Sequence, residues 1–282
     1  MASMAPPQRF GRVLFRVAGI EVAVHSSWLI IFAILVLIAR AEIAPRIVAE
    51  ESGWIAPLSI AIALLFYTFV LLHELSHALM ARAHGLDAKR ITLFVFGGVA
   101  QIGAEAERPA DEFRIAIAGP LASLVIAGVL AAVSLTLHPE FDLQTDTSPY
   151  LLPGVWGLLA VVNLALALFN LVPAFPLDGG RVLRAALWRG LRDRAKATRW
   201  SAVLGKAFAF SMIGAGGAIA FVELGWGDSS DALQGLWYVV LGMFLFNVAG
   251  SAEKVEGGAE PRKGPPTQDE ALVSSRDYLD KG

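Results

Sequence analysis

From Trp54 to Met80 the chain reads WIAPLSIAIALLFYTFVLLHELSHALM. This stretch carries one charged residue, Glu74, and it has the length of a helix that crosses a lipid bilayer. An ionisable group inside such a helix is costly, and it usually marks a functional position. The stretch therefore predicts a membrane-spanning helix that carries a functional site.

The composition of the whole chain supports the same class of protein. Of the 282 residues, 56% are hydrophobic and 17% are charged, and the mean hydropathy is +0.59. Because an ordinary soluble domain is about 45–50% apolar and about 25% charged, we expect a membrane protein. The net charge of −2 argues against a nucleic-acid partner. Since the chain has no cysteine, any metal ion has to be held by His, Asp or Glu.

Apolar runs predict an all-α polytopic membrane protein with about six transmembrane helices. They lie at about 26–40, 54–80, 112–137, 153–172, 201–222 and 232–249. Alternating residues within 11–24 indicate a short strand, and residues 91–102 are rich in β-forming side chains, so we expect a small membrane-associated β element as well. The alternative for the first run is a cleaved signal peptide.

The runs divide the chain into three predicted parts. Residues 1–25 form an N-terminal cytoplasmic strand segment, 26–250 the transmembrane domain, and 251–282 a polar cytoplasmic linker or tail that is rich in Gly, Pro and charge. The distribution of Lys and Arg between the runs places both termini in the cytoplasm. With Arg82 at the cytoplasmic end of its run, His77 and His73 lie roughly 7 and 13 Å inward at 1.5 Å per residue.

The motif His73-Glu74-Leu75-Ser76-His77 places two histidines four residues apart. On a helix both imidazoles then lie on one face, where they can bind a single ion. In this pattern the histidines bind zinc, and the glutamate accepts a proton from the attacking water. The alternative is a pair of buried histidines that hydrogen-bond to other helices.

The fourth run ends in an irregular segment that reads NLVPAFPLDGG from Asn170 to Gly180. Its prolines remove backbone donors and its two glycines free the chain to turn, so the backbone is irregular close to membrane depth. This position makes Asp178 a candidate third metal ligand, with a helix-capping aspartate as the alternative. Asn170 is either a hydrogen-bond donor to an oxyanion or a link between two helices.

Together these motifs resemble the site-2 protease family of intramembrane zinc metalloproteases, in its compact six-span subgroup without a PDZ insertion. The resemblance covers residues 60–185 and rests on the 73–77 motif, Phe96-Gly97-Gly98, Gly119-Pro120 and the 170–180 segment. It implies one zinc ion per chain, held by His73, His77 and Asp178. It also implies that Glu74 is the catalytic base and that Asn170 supports the tetrahedral intermediate.

The same resemblance implies a substrate that is itself a transmembrane segment in the lipid bilayer. Cleavage would release a regulatory protein to the cytoplasm, from an active site near the cytoplasmic side of the cell membrane. Some members of the subgroup carry a pair of CBS domains after the sixth span. A native chain that continues past Gly282 could therefore be regulated by a cytoplasmic domain or a nucleotide.

A helical substrate has to unwind before cleavage, because its own hydrogen bonds cover its carbonyl groups. We expect residues 91–102 to form a hairpin whose edge, with Phe96, Gly97 and Gly98, binds the unwound substrate by strand addition. The alternative is a surface hairpin without a role in substrate binding.

Two other functions could use the same metal ligands. One is a divalent-metal transporter or metal sensor, and the other is a catalytically idle protein that binds membrane helices. A glutamate between the two histidines favours hydrolysis, and the sequence shows no internal repeat of the kind that transporters often have.

Overall fold

The computed structural model describes residues 11–49, 51, 53–95, 97–103, 105–140, 152–226 and 229–258. Over these residues the chain forms seven α-helices and one four-stranded sheet. The helices are α1 (Trp28–Ile38), α2 (Ile55–Ala83), α3 (Pro109–Leu137), α4 (Gly154–Asn170), α5 (Asp178–Leu191), α6 (Arg194–Trp226) and α7 (Ser229–Gly258). The strands are β1 (Arg12–Val17), β2 (Ile20–Val24), β3 (Ala88–Phe94) and β4 (Gly97–Ile102).

The predicted fold class, a helical membrane protein with a small β element, is confirmed. Among the described residues, four helices are long and apolar enough to cross a membrane, where the sequence predicted about six. They are Ile55–Ala83, Pro109–Leu137, Arg194–Gly225 and Ala232–Ser251. The apolar helix α4 has 17 residues and ends before Pro173, because a proline disfavours helical backbone in the residue before it. Helix α1 has 11 residues and passes into a π-helical turn that contains the charged Arg40 and Glu42.

Helix α5 begins where the sequence predicted a turn, and it lies between the fourth and fifth predicted spans, where no helix was predicted. The many arginines of this segment suggested a loop, but its apolar residues recur with the spacing of an amphipathic helix. Helix α5 packs against both α3 and α6. It therefore anchors the irregular chain that follows α4 to the rest of the bundle.

The four strands form one sheet in the order β1-β2-β3-β4. The outer pairs are antiparallel, and β2 and β3 pair in parallel with Val22 opposite Ile91. Residues 11–24 thus form two strands, joined at Ala18 and Gly19, where the sequence predicted one. The hairpin predicted over 91–102 is present as β3 and β4, and β4 is an edge strand of the sheet.

Arg82 attaches this sheet to the last turn of α2. Its Nε donates a hydrogen bond to the carbonyl oxygen of Ala88 at 2.9 Å. Its two terminal nitrogens donate to the carbonyl oxygens of Ala18 at 2.5 Å and Gly19 at 3.1 Å. Buried apolar side chains of α2, β2 and β3 pack together beside this residue. These contacts hold the sheet against the C-terminal half of α2, which carries the two histidines.

Small residues determine how α6 packs against α7. A methyl group on Gly216 would lie 2.6 Å from the carbonyl oxygen of Gly235, and one on Gly242 would lie 2.9 Å from that of Ala209. In a membrane, close backbone approach of this kind stabilises a helix pair, because lipid tails compete with apolar side chains for the same contacts. The two helices therefore pack as a hairpin whose backbones approach each other closely.

We predict that Gly216→Ala is less stable than Gly217→Ala, by about 1–3 kcal/mol in the free energy of unfolding. Both changes give α6 the same gain in helix propensity, but a methyl group on Gly217 would meet no atom within 4 Å. Reversible unfolding of the two variants in detergent micelles measures the difference. Equal stabilities would contradict the close packing of α6 against α7.

Candidate metal centre

His73 and His77 lie on one face of α2, as their spacing predicts. Both are buried, and their Nε2 atoms are 3.3 Å apart. The two imidazole planes meet nearly at right angles, at 80°. The two ring nitrogens therefore point to one place within the helix bundle.

Asp178 brings a third ligand atom to the same place. Its Oδ2 lies 3.1 Å from Nε2 of His73 and 3.0 Å from Nε2 of His77. The aspartate is the first residue of α5, so the segment between α4 and α5 sets its position. The structure thus brings together the three residues that the sequence analysis named as metal ligands.

The hydrogen bond of His77 to α3 shows that this set of atoms suits a cation. Nδ1 of His77 lies 2.7 Å from the carbonyl oxygen of Ile115, which can only accept a hydrogen bond. In neutral His77 the proton is therefore on Nδ1, and Nε2 presents a lone pair to a carboxylate oxygen of Asp178. Two acceptors at this distance need either a metal ion or a second imidazole proton between them. Two imidazoles and one carboxylate form a ligand set that fits zinc, which in catalytic sites takes water as its fourth ligand.

Helix α3 also orients the other histidine. Nδ1 of His73 lies 2.9 Å from Oγ of Ser123, a fully buried residue. Partners of this kind fix the ring orientation of metal-binding histidines. Neither Ser123 nor the Ile115 carbonyl was predicted from the sequence, although a serine four residues after Gly119 in an apolar helix was a usable signal.

Gly119 leaves the space that the two imidazoles need. A methyl group at this position would lie 2.2 Å from Nε2 of His77 and 2.7 Å from Nε2 of His73. No side chain other than hydrogen fits at those distances. The glycine of the Gly119-Pro120 pair thus has a steric reason in this chain.

The two glycines after Asp178 also serve close packing. Both lie in the first turn of α5, so they do not form the turn that the sequence analysis expected. A methyl group on Gly179 would lie 2.2 Å from the carbonyl oxygen of Leu171, and one on Gly180 would lie 2.4 Å from the backbone nitrogen of Phe175. The chain can therefore fold back tightly on the start of α5 and hold Asp178 in place.

Glu74 lies between the two histidines in sequence and contacts the sheet. A methyl group on Gly98 would lie 2.5 Å from Cγ of Glu74, so strand β4 passes directly beside this side chain. The neighbouring Gly97 has a φ of +123° at the start of β4. Phe96, the third residue of the predicted substrate-binding group, lies outside the described residues.

The side chains of Asn170 and His25 have hydrogen-bond partners close by in sequence. The amide nitrogen of Asn170 donates to the carbonyl oxygen of Leu166 at 3.0 Å, at the last turn of α4. The ring of His25 contacts Oγ of Ser27 at 2.8 Å, and its backbone nitrogen donates to the carbonyl oxygen of Leu93. His25 therefore lies at the junction of β2, β3 and α1.

The candidate metal centre lies in the part of the chain that matches a known protein family. The sequence model of Peptidase family M50 matches residues 61–148 and 144–213. A relative from Synechocystis sp. that is named a zinc metalloprotease is 35% identical over 242 residues, which are 84% of this chain and 58% of the relative. Rip3 of Mycobacterium tuberculosis, also named a zinc metalloprotease, is 37% identical over 243 residues, which are 85% of this chain and 58% of Rip3. The chain thus matches 58% of the length of each of these curated relatives.

A solved structure gives a matching fold. The site-2 protease from Methanocaldococcus jannaschii is similar to this chain with a TM-score of 0.55 and 28% sequence identity. The match covers 91% of this chain and 100% of the other. The two proteins therefore share a fold that includes the helices of the centre.

We predict that Gly119→Ala weakens zinc binding by about tenfold or more, a loss like that from disturbing the groups that orient metal ligands. The methyl group would displace both imidazoles from their present positions. Gly128→Ala is the control, because it lies on the same helix and its methyl group would meet no atom within 4 Å. The zinc content and zinc affinity of the two purified variants test this. Wild-type affinity in Gly119→Ala would contradict the placement of the two histidines.

Proposed function

The chain belongs to peptidase family M50, the site-2 protease family that its motifs resemble, and from this premise we propose that it is an intramembrane zinc metalloprotease. We infer that it hydrolyses a peptide bond in or near a transmembrane segment of its substrate. The observation that carries the proposal is the convergence of His73, His77 and Asp178 on one point, with a glutamate next to His73.

The roles of the residues follow from their chemistry. His73, His77 and Asp178 would hold one zinc ion per chain through Nε2, Nε2 and a carboxylate oxygen. When bound, zinc supplies a Lewis acid that polarises the scissile carbonyl and makes water more acidic. Glu74 accepts a proton from the attacking water and returns it to the leaving amine.

Asn170 is proposed to support the tetrahedral intermediate. Its amide nitrogen carries two protons, and one of them makes the hydrogen bond to Leu166. The second proton can be donated to an oxyanion. The position of Asn170 at the end of α4, in the segment that leads to Asp178, supports this role.

Strand β4 is proposed to hold the substrate in an extended form. It is an edge strand, and its Gly98 lies against Glu74, so a peptide added to this edge passes beside the proposed base. Strand addition also satisfies the backbone hydrogen bonds that an unwound transmembrane segment loses. In this proposal Phe96, Gly97 and Gly98 form the part of the hairpin nearest to the scissile bond.

The membrane orientation is proposed from charge. Basic residues flank the ends of α2 and α5, which would place both termini in the cytoplasm and the metal centre near the cytoplasmic side. The product released to that side would be a regulatory protein. The alternatives, a metal transporter or sensor and a catalytically idle binder of membrane helices, are not favoured, because neither requires a glutamate beside the two histidine ligands.

We predict that Glu74→Gln keeps about one zinc ion per chain, while cleavage of a single-span reporter falls by about 10²-fold or more. The substitution removes the proton acceptor and leaves the three ligands. Reporter cleavage in liposomes and the zinc content of the same samples measure the two effects. The matched control is Glu140→Gln, a change at an exposed glutamate after α3.

Two results of this experiment would contradict the proposal. Cleavage at the wild-type rate by zinc-loaded Glu74→Gln would show that this glutamate is not the base. If neither protein cleaves any reporter but both carry zinc across the liposome membrane, the transporter becomes the better hypothesis.

We also predict that a proline in β4 slows reporter cleavage by about tenfold or more. Proline has no N–H to donate to the added substrate strand, which removes a hydrogen bond worth about 0.5–1.5 kcal/mol, and its ring obstructs the substrate backbone. Val99→Pro and Ala100→Pro are made separately, because successive residues of a strand point their N–H groups to opposite sides. Leu14→Pro and Phe15→Pro in β1, at the opposite edge of the sheet, are the controls. Variants of β4 that bind zinc, fold normally and cleave at the wild-type rate would contradict strand addition.

A further inference from the structure

A buried ion pair joins α3 to α5 next to the metal centre. Glu112 is 1% exposed and Arg184 is 8% exposed. Nε of Arg184 donates to Oε1 of Glu112 at 2.7 Å, and a terminal nitrogen of the same guanidinium donates to the same oxygen. The proposed hydrolysis gives neither residue a role.

On α3, Glu112 lies on the face that orients the two histidines. The residues of this face are three or four apart: Glu112, Ile115, Gly119 and Ser123. The Ile115 carbonyl accepts from His77, Gly119 leaves space for both rings, and Ser123 contacts His73. Glu112 is thus the first residue on the face of α3 whose other members position the two histidines.

On α5, Arg184 lies close to the segment that presents Asp178. Asp178 begins the helix, and Arg184 follows it by less than two turns. The guanidinium also lies over the ring of Phe175, at 5.4 Å from the ring centroid, three residues before Asp178. Arg184 therefore contacts the chain before the aspartate and belongs to the helix after it.

The energetics of the pair argue against a purely stabilising role. Burying two charges costs several kcal/mol of desolvation per ion, so that well-packed apolar residues of the same size often stabilise a fold equally well. In addition, Oε2 of Glu112 is buried and has no hydrogen-bond partner among the described residues. Unlike apolar packing, this hydrogen-bonded pair fixes the orientation and distance of α5 relative to α3.

We propose that Glu112 and Arg184 are positioning residues that hold α5 against α3 and thereby set the distance from Asp178 to His73 and His77. The histidines depend on α3 and the aspartate depends on α5, so the geometry of the ligand set depends on how these two helices are joined. This inference rests on the proposed function only in taking these three residues as the metal ligands.

Cobalt binding tests the proposal in the full chain in detergent micelles. Cobalt(II) serves as the probe because its visible absorption spectrum reports the geometry of its ligands. For Glu112→Gln we expect cobalt affinity to fall by about tenfold or more, with a changed visible spectrum. The melting temperature of the metal-free protein is measured alongside and should fall, because the substitution leaves the buried Arg184 without its charged partner.

The control is Glu21→Gln, which breaks an ion pair of the same chemistry in the sheet. Glu21 accepts hydrogen bonds from Nε of Arg90 at 3.0 Å and from a terminal nitrogen of Arg90 at 2.6 Å. We expect wild-type cobalt affinity and a wild-type spectrum for this variant. A structural loss alone would lower the melting temperature in both variants and leave both cobalt spectra unchanged.

A second variant keeps the test decisive if Glu112→Gln does not fold. Arg184→Lys retains the charge and loses the two-pronged guanidinium geometry, so we expect an altered cobalt spectrum with a smaller loss of affinity. Wild-type cobalt affinity and spectrum in either folded variant would overturn the proposal. If neither variant folds, the pair serves the stability of the fold, which would overturn it as well.

The cobalt readout also separates this proposal from the proposed protease activity. If the wild-type chain binds cobalt but cleaves no membrane reporter, the protease assignment fails. The effect of Glu112→Gln on cobalt affinity then still decides whether the pair positions the ligands.

Discussion

The lone pair that His77 directs at Asp178 is the interaction on which the rest of the structure depends. The Ile115 carbonyl fixes the proton of neutral His77 on Nδ1, so Nε2 faces a carboxylate oxygen 3.0 Å away. Inside a helix bundle, two acceptors at that distance need either a metal ion or a second imidazole proton between them. The surrounding helices therefore have to hold these atoms in place, because each atom alone would relax toward a different hydrogen-bond partner.

The chain holds these ligand atoms in place through close backbone approach at glycine residues. Gly119 brings α3 against the imidazoles, Gly98 brings β4 against Glu74, and Gly179 and Gly180 bring the folded-back segment against α5. In each place a single methyl group would push apart two parts of the site. Small residues also pack α6 against α7, so the metal centre and the distant helix pair use one principle of membrane-protein packing.

The sequence was most informative where chemistry depends on local spacing. The 73–77 motif needs only helical geometry to place two histidines on one face, and α2 has that geometry. Asp178 was predictable because prolines and glycines mark irregular backbone in an apolar context. In contrast, α5 was missed because its arginines suggested a solvated loop, and Arg184 instead forms a buried ion pair with Glu112. The shortness of α1 and α4 was also not evident, since apolar composition alone does not fix where a helix ends.

The sequence alone therefore determined the class of protein, the candidate ligand residues and the family resemblance, because hydropathy and short-range spacing are local properties of a chain. Only the tertiary structure decided that Asp178 meets both histidines, that β4 is the strand beside Glu74, and that α3 supplies the partners of both imidazoles. These contacts join residues 24 to 105 positions apart. No periodicity in the sequence encodes such pairings, since they depend on how whole helices pack against one another.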